Sequence, residues 1–157
     1  MKRMTVDPFK IYGEQWALVT AGNMDRFNTM TVSWGGLGTL WARDVVTIYI
    51  KPIRYTYQFI EENDTFTVSF FPDEFHGDLA TLGTLSGRDG DKLAKTSLTA
   101  KAVGDTVGFE QAETTLLCRK LYAQDLDPSQ IPADAMEKFY ANEPPHRMYI
   151  AEVIDVL

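Results

Sequence analysis

Residues 28–34 alternate with a period of two: Met30, Val32 and Trp34 fall on one side, Thr29, Thr31 and Ser33 on the other. That spacing predicts a strand with one apolar and one hydroxyl-lined face. Residues 65–71 repeat the pattern, with Phe66, Val68 and Phe70 set against Thr67 and Ser69, so one face of this strand is core. Residues 16–20 form a short apolar run ended by Ala21-Gly22-Asn23 and are placed to pair with the strand that follows. Residues 44–50 form a continuous run rich in β-branched residues, which predicts a buried strand. Residues 114–122 read as a long strand and 148–156 as a final one, with Met148, Ile150, Ile154 and Val156 on one side.

Helical signals are fewer. Pro52 ends the strand before it, and Tyr55 to Glu62 reads as a short helix whose first turn carries unpaired N–H groups. Pro72-Asp73 starts another, in which Phe75, Leu79 and Leu82 share one face before Gly87. Asp91 is placed to cap a short helix holding Leu93. Residues 99–109 read as irregular chain or short strands broken by Gly104 and Gly108, and 128–142 as partly helical. Repeated strands without regular strand-helix alternation favour an antiparallel barrel over a βαβ fold.

At 157 residues and 45% hydrophobic, the chain has the size of one domain, 1–157, with a proper core. Its 12% aromatic content fits a chain folded throughout. A net charge of -7 repels polyanions and argues against nucleic acid as a partner. Lys51, Arg54, Arg88 and Lys92 are a local exception, and a basic pocket in an acidic protein favours a small anion. No apolar run reaches membrane-spanning length, and residues 1–15 lack the apolar core of a signal peptide, so the expected location is the cytoplasm, with no membrane partner. The single cysteine, Cys118, agrees with a reducing compartment.

The chemistry-bearing positions concentrate between Asn28 and Thr56. Gly35, Gly36 and Gly38 let the backbone turn sharply or approach a ligand closely; alone, they read equally well as a β-turn or bulge. Arg54 and Thr56 stand at a helix start, where N–H groups and the local dipole attract an anion. A guanidinium adds a charge-assisted contact to phosphate and a hydroxyl adds another. The bland alternative is an exposed charge and a helix cap. Ser86, Gly87 and Lys92 similarly read as a phosphate-completing loop or as a surface loop between helices. These features point to a phosphate-bearing cofactor. The Gly-Gly-Leu-Gly run lacks the spacing of a dinucleotide fingerprint, so no Rossmann domain is expected. His76 and His146 have no metal-ligand spacing, Cys118 reads as a buried small side chain, and the Glu61-Glu62 and Asp125-Asp127 pairs read as solvated carboxylates.

Three stretches in order, Asn28-Thr-Met-Thr-Val-Ser-Trp-Gly, Lys51-Pro-Ile-Arg-Tyr-Thr-Tyr and Ser86-Gly-Arg-Asp-Gly-Asp-Lys92, resemble the flavin reductase-like, FMN-binding split-barrel family of flavin reductases and flavoredoxins. The resemblance implies a mainly β antiparallel split barrel of six or seven strands with short helices. It also implies noncovalent FMN held by Asn28, Met30, Thr31, Val32, Ser33, Trp34, Arg54, Tyr55, Thr56, Ser86, Gly87 and Lys92, with backbone donors from Met30 to Gly36 tuning the flavin. The implied activity is an NAD(P)H-dependent flavin reductase, in which NADH or NADPH binds transiently over the flavin and electrons pass to free flavin or another acceptor. The implied assembly is a homodimer with each flavin near the interface. Two alternatives stay open: a non-enzymatic flavoredoxin-type carrier fed by an electron-transfer partner protein, and a ligand-binding barrel with no redox role. No side chain is assigned to catalysis.

Overall fold

In the computed structural model, which describes residues 2–157, nine strands and four helices follow one another. The strands are β1 (Ala17–Gly22), β2 (Phe27–Val32), β3 (Gly35–Leu40), β4 (Arg43–Ile50), β5 (Thr65–Phe70), β6 (Ala100–Val103), β7 (Thr106–Phe109), β8 (Thr114–Asp125) and β9 (Arg147–Val156). The helices are α1 (Lys10–Gly13), α2 (Tyr55–Glu62), α3 (His76–Thr84) and α4 (Ala133–Phe139). Seven strands make one antiparallel sheet in the order β2-β1-β5-β8-β9-β4-β3, and β6 and β7 make a separate hairpin. The sheet is mainly antiparallel, as expected, but it does not close: β2 and β3 remain its edges. Among the described residues no helix is long and apolar enough to cross a membrane.

Strand β1 is buried along its whole length, which explains its unbroken apolar run. Val19 faces the main core with Phe66, Val68, Ile48 and Tyr149, whereas Leu18 faces a smaller cluster with Leu79, Leu82 and Phe109. Helix α3 and the β6–β7 hairpin cover that second face, so alternate residues of one strand are buried against different partners. Helix α2 inserts Phe59 and Ile60 into the main core and is held against β1 and β2.

Two local readings are corrected. The glycine run is neither a turn nor a bulge but the edge strand β3, in register with β4 from Gly35↔Ile48 to Leu40↔Arg43. The turn lies later, at Trp41 and Ala42, whose φ values of 52° and 58° suit a two-residue hairpin. Gly35 has a packing reason of its own: a Cβ there would sit 2.6 Å from the Tyr12 ring and 2.9 Å from the Thr47 carbonyl oxygen. In β9 the core-facing residues are Tyr149, Ala151 and Val153, then Val156, rather than Met148, Ile150 and Ile154. Leu117 pairs with Asp155 and Cys118 with Val153, so Ile154 is an extra residue that shifts the alternation.

Candidate functional site

Two adjoining cavities lie between β2, the start of α2, the end of α3 and the segment that leads into β9. The first, of about 220 Å³, is bordered by Met30 through Trp34 of β2 and its exit, by Tyr49 and Lys51 at the end of β4, and by Arg54 and His146. The second, of about 190 Å³, is bordered by Asn28, Met30, residues 53–56, residues 83–88 and Lys92. Met30 and Arg54 belong to both. All twelve residues singled out from the sequence therefore border one cavity or the other.

Arg54 is the shared wall that carries charge. Its backbone is extended, at φ -74° and ψ 141°, because Pro52 and the turn before it end β4 and α2 begins at the next residue. Among the described residues its guanidinium makes no hydrogen bond or ion pair. The other cations here are engaged. Lys51 Nζ lies 2.6 Å from Glu143 Oε2 and 3.4 Å from the Phe139 carbonyl oxygen. Arg88 donates to the Ile53 carbonyl at 2.9 Å, with its guanidinium 5.1 Å from the Tyr55 ring centroid. Lys92 is buried and donates to the carbonyls of Leu82 and Leu85, at 3.1 and 3.2 Å, where α3 ends. Burial first, and the Arg54 guanidinium second, hold its ammonium down to about 8. Asp91 caps the turn after Lys92, accepting from the Ala94 N–H.

The neutral side chains mostly hold one another. Asn28 Nδ2 donates to Thr56 Oγ1 at 2.8 Å, and both residues are buried. Ser86 Oγ accepts from the Arg88 N–H at 3.2 Å. Gly87 presses against Asn28 and Tyr55 so closely that a Cβ would overlap the Asn28 Oδ1 atom. The hydroxyl row of β2 is not a ligand face: Thr29 pairs with Thr20 at 2.8 Å, and Thr31 Oγ1 donates to the Leu79 carbonyl at 2.6 Å. These hydroxyls seam β2 to β1 and to α3, so what Thr31 offers the first cavity is chiefly backbone, whereas the Ser33 hydroxyl makes no hydrogen bond among the described residues and borders that cavity. Trp34, by contrast, is half-exposed at the mouth, edge-on to Phe139 at 5.0 Å and tilted against His146 at 5.3 Å.

Tyr49, Lys51, His146, Ile53, Arg88 and residues 83–85 complete the walls. Lys51 was visible in sequence as one of four local cations, but His146 carries no local signal and arrives from the far end of the chain. Burial first and then Lys51 hold the His146 imidazolium down to about 4, against an opposing pull from Glu143 that outweighs the further lowering by Arg54. Its ring is neutral at pH 7. No group of three or more His, Cys, Asp and Glu among the described residues is arranged to hold a metal.

A free guanidinium between two linked cavities suits a ligand with an anionic end and a planar end. The second cavity supplies Arg54 with Lys92 near it, and the first supplies Trp34, Met30 and β2 backbone. FMN has both ends, and the residues present fit it.

The family described as flavin reductase like domain matches residues 9–157. No protein of curated function matches. Among solved structures, a flavoredoxin from Methanosarcina acetivorans is 16% identical with a TM-score of 0.71, covering 100% of this chain and 75% of its own. The flavoredoxin of Desulfovibrio vulgaris (Miyazaki F) is 21% identical with a TM-score of 0.71, over 100% and 76% of the two chains. An FMN-binding protein from Thermus thermophilus is 18% identical with a TM-score of 0.70, over 100% and 80%. At these identities the likeness establishes the fold, an open antiparallel split barrel with short helices. Together with the match over nearly all of its length, it makes this chain a member of the flavin reductase-like family.

Proposed function

We propose that this chain is an FMN-binding oxidoreductase, an NAD(P)H-dependent flavin reductase that passes electrons through bound flavin to free flavin or another acceptor. The observation that carries the reading is the unpartnered Arg54 guanidinium at the junction of an aromatic-walled cavity and a cation-lined one. The FMN phosphate belongs beside Arg54 and the Ser86-Gly87 loop, and the ring beside Trp34 and the β2 backbone. When bound, the flavin supplies two-electron chemistry, accepting a hydride and passing electrons onward. The chain's own residues bind and orient it. Lys51 holds the segment after α4 against the cavity mouth.

We further propose that two copies associate over this mouth. Trp34, Ile53 and Phe139 are all at least 37% exposed there, an apolar rim that a second copy would cover.

The experiment is an absorbance spectrum of FMN-loaded protein, repeated anaerobically after adding NADH or NADPH. Bleaching by nicotinamide supports the reductase. Flavin that persists with nicotinamide but bleaches with dithionite makes the protein a carrier fed by a partner. Protein that takes up no FMN contradicts both.

A further inference from the structure

A third cavity, of about 600 Å³, shares no lining residue with the two that make up the flavin site. It is bordered by Leu37, Val45, Leu116, Val153 and Val156 of β3, β4, β8 and β9, and by the segment before α1. Val45 near the start of β4 borders this cavity, and Tyr49 near the end of β4 borders the first. At about 3.3 Å of rise per residue, roughly 13 Å of strand separates the two, so both can be filled at once. The volume falls within the roughly 300–1,000 Å³ of small-molecule sites.

Residues 2–6 make no backbone hydrogen bond among the described residues. Side chains hold them: Lys2 Nζ donates to the Glu113 carbonyl at 3.2 Å, and Met4 packs against the main core. This segment can lift to admit a ligand without breaking any backbone pairing. Two cations, Lys2 and Arg3, and one carboxylate, Asp44, border the cavity. The Arg3 guanidinium and the Asp44 carboxylate make no hydrogen bond or ion pair among the described residues, and Lys2 has only a neutral carbonyl. The opposite charges are kept apart. Lys2 is tied beside the start of β8, whereas Asp44 lies across β9 from it, opposite Thr39 near the β3–β4 turn.

We propose that this cavity is a second binding site, for an aliphatic carboxylate of medium chain length. No aromatic ring borders it, so it offers nothing for a planar heterocycle to stack on, while its branched aliphatic walls suit a flexible hydrocarbon chain. The unmatched charge of Lys2 and Arg3 suits an anionic head at the β8 side. Asp44 repels that head from the opposite side, which sets the orientation: carboxylate beside Lys2 and Arg3, tail along Val153, Val156 and Leu37 toward β4. The site is independent of the flavin reading above.

The test titrates the flavin-free full chain with octanoate, decanoate and decan-1-ol by calorimetry and follows its methyl groups by ¹³C NMR. Decanoate is expected to bind once per chain, about 15-fold more tightly than octanoate, the effect of two more buried methylenes. Decan-1-ol, which lacks the charge, is expected to bind about tenfold more weakly than decanoate. Arg3→Glu, at an exposed position, is expected to weaken decanoate about tenfold and to leave decan-1-ol within about twofold. Methyl shifts are expected at Leu116, Val153 and Val156 and not at Met30 or Val32. Absence of saturable binding, equal affinity for decanoate and decan-1-ol, or unchanged decanoate binding by Arg3→Glu would overturn the site. So would shifts at Met30 and Val32 in place of Leu116, Val153 and Val156, since they would put the anion in the first cavity.

Discussion

Asn28 and Thr56 are joined side chain to side chain, with Nδ2 donating to Oγ1 at 2.8 Å, and both are buried. The bond ties the edge strand β2 to the first turn of α2. It thereby fixes the position of Arg54, two residues before Thr56, against the β2 wall of the site. Two residues that the sequence suggests as separate ligand contacts are, in the fold, one structural unit.

Removing either member leaves a buried polar group without its partner. Asn28→Ala is expected to cost about 1–3 kcal/mol of stability in urea unfolding without FMN. Thr56→Val in the same background should then add little, since its partner is already gone. Fully additive losses would show that the two side chains do not act on each other.

Gly87 is the point where the 86–92 loop comes closest to β2. An alanine Cβ would overlap Asn28 Oδ1 and lie 3.0 Å from Tyr55 Cδ2, so the loop must move outward. Gly87→Ala is expected to cost about 1–3 kcal/mol and to weaken FMN binding, read by unfolding and by flavin titration. Gly77, in α3 with nothing within 4 Å of a built Cβ, is the control. Gly77→Ala should leave FMN binding unchanged and raise stability by up to about 1 kcal/mol.

Lys92 gives the second cavity a pH dependence. Its folded value, near 8, is depressed below the ordinary lysine value of 10.5 by burial and then by Arg54. Between those values the unfolded chain holds a proton that the folded one lacks. Stability therefore rises with pH across that window, and the penalty of the buried charge is fully present below about 8. An anion in the cavity favours the charged form, so binding takes up a proton above that value. FMN affinity is expected to be flat from pH 7 toward 8 and to weaken above it, and to lose this dependence in Lys92→Met. Flavin titrations across pH 7 to 9 check this; parallel profiles for the two proteins would contradict it.

Most of the sheet was legible because burial on one or both faces leaves a period of two or an unbroken apolar run. The reading failed where one residue serves a neighbour rather than a pattern. Gly35 looks like a turn residue, but it is a strand residue made room for by Tyr12, a contact between distant parts of the chain. Ile154 looks like core, but a one-residue bulge in β9 hands that face to Tyr149, Ala151 and Val153. At the site, the residues near one another in sequence were legible because β2, the turn at Pro52 and the 86–92 loop are local units. His146 was not, because only the pairing of β9 with β4 and the path of the preceding segment bring it beside Trp34. The engagement of the Thr31 hydroxyl with the Leu79 carbonyl was not legible either, because a period of two shows which residues share a face, not what lies opposite.

The central claim is that Arg54 holds the phosphate of a flavin, and the most direct test compares FMN with riboflavin, which lacks that phosphate. Fluorescence titration of the flavin-free protein should show FMN bound far more tightly than riboflavin. Arg54→Ala should weaken FMN about 10- to 100-fold, the effect of losing a charge-assisted hydrogen bond, and leave riboflavin nearly unchanged. Because the guanidinium has no partner among the described residues, the variant should unfold at the same urea concentration as the parent. Equal affinity for the two flavins, or equal weakening of both by Arg54→Ala, would contradict the account.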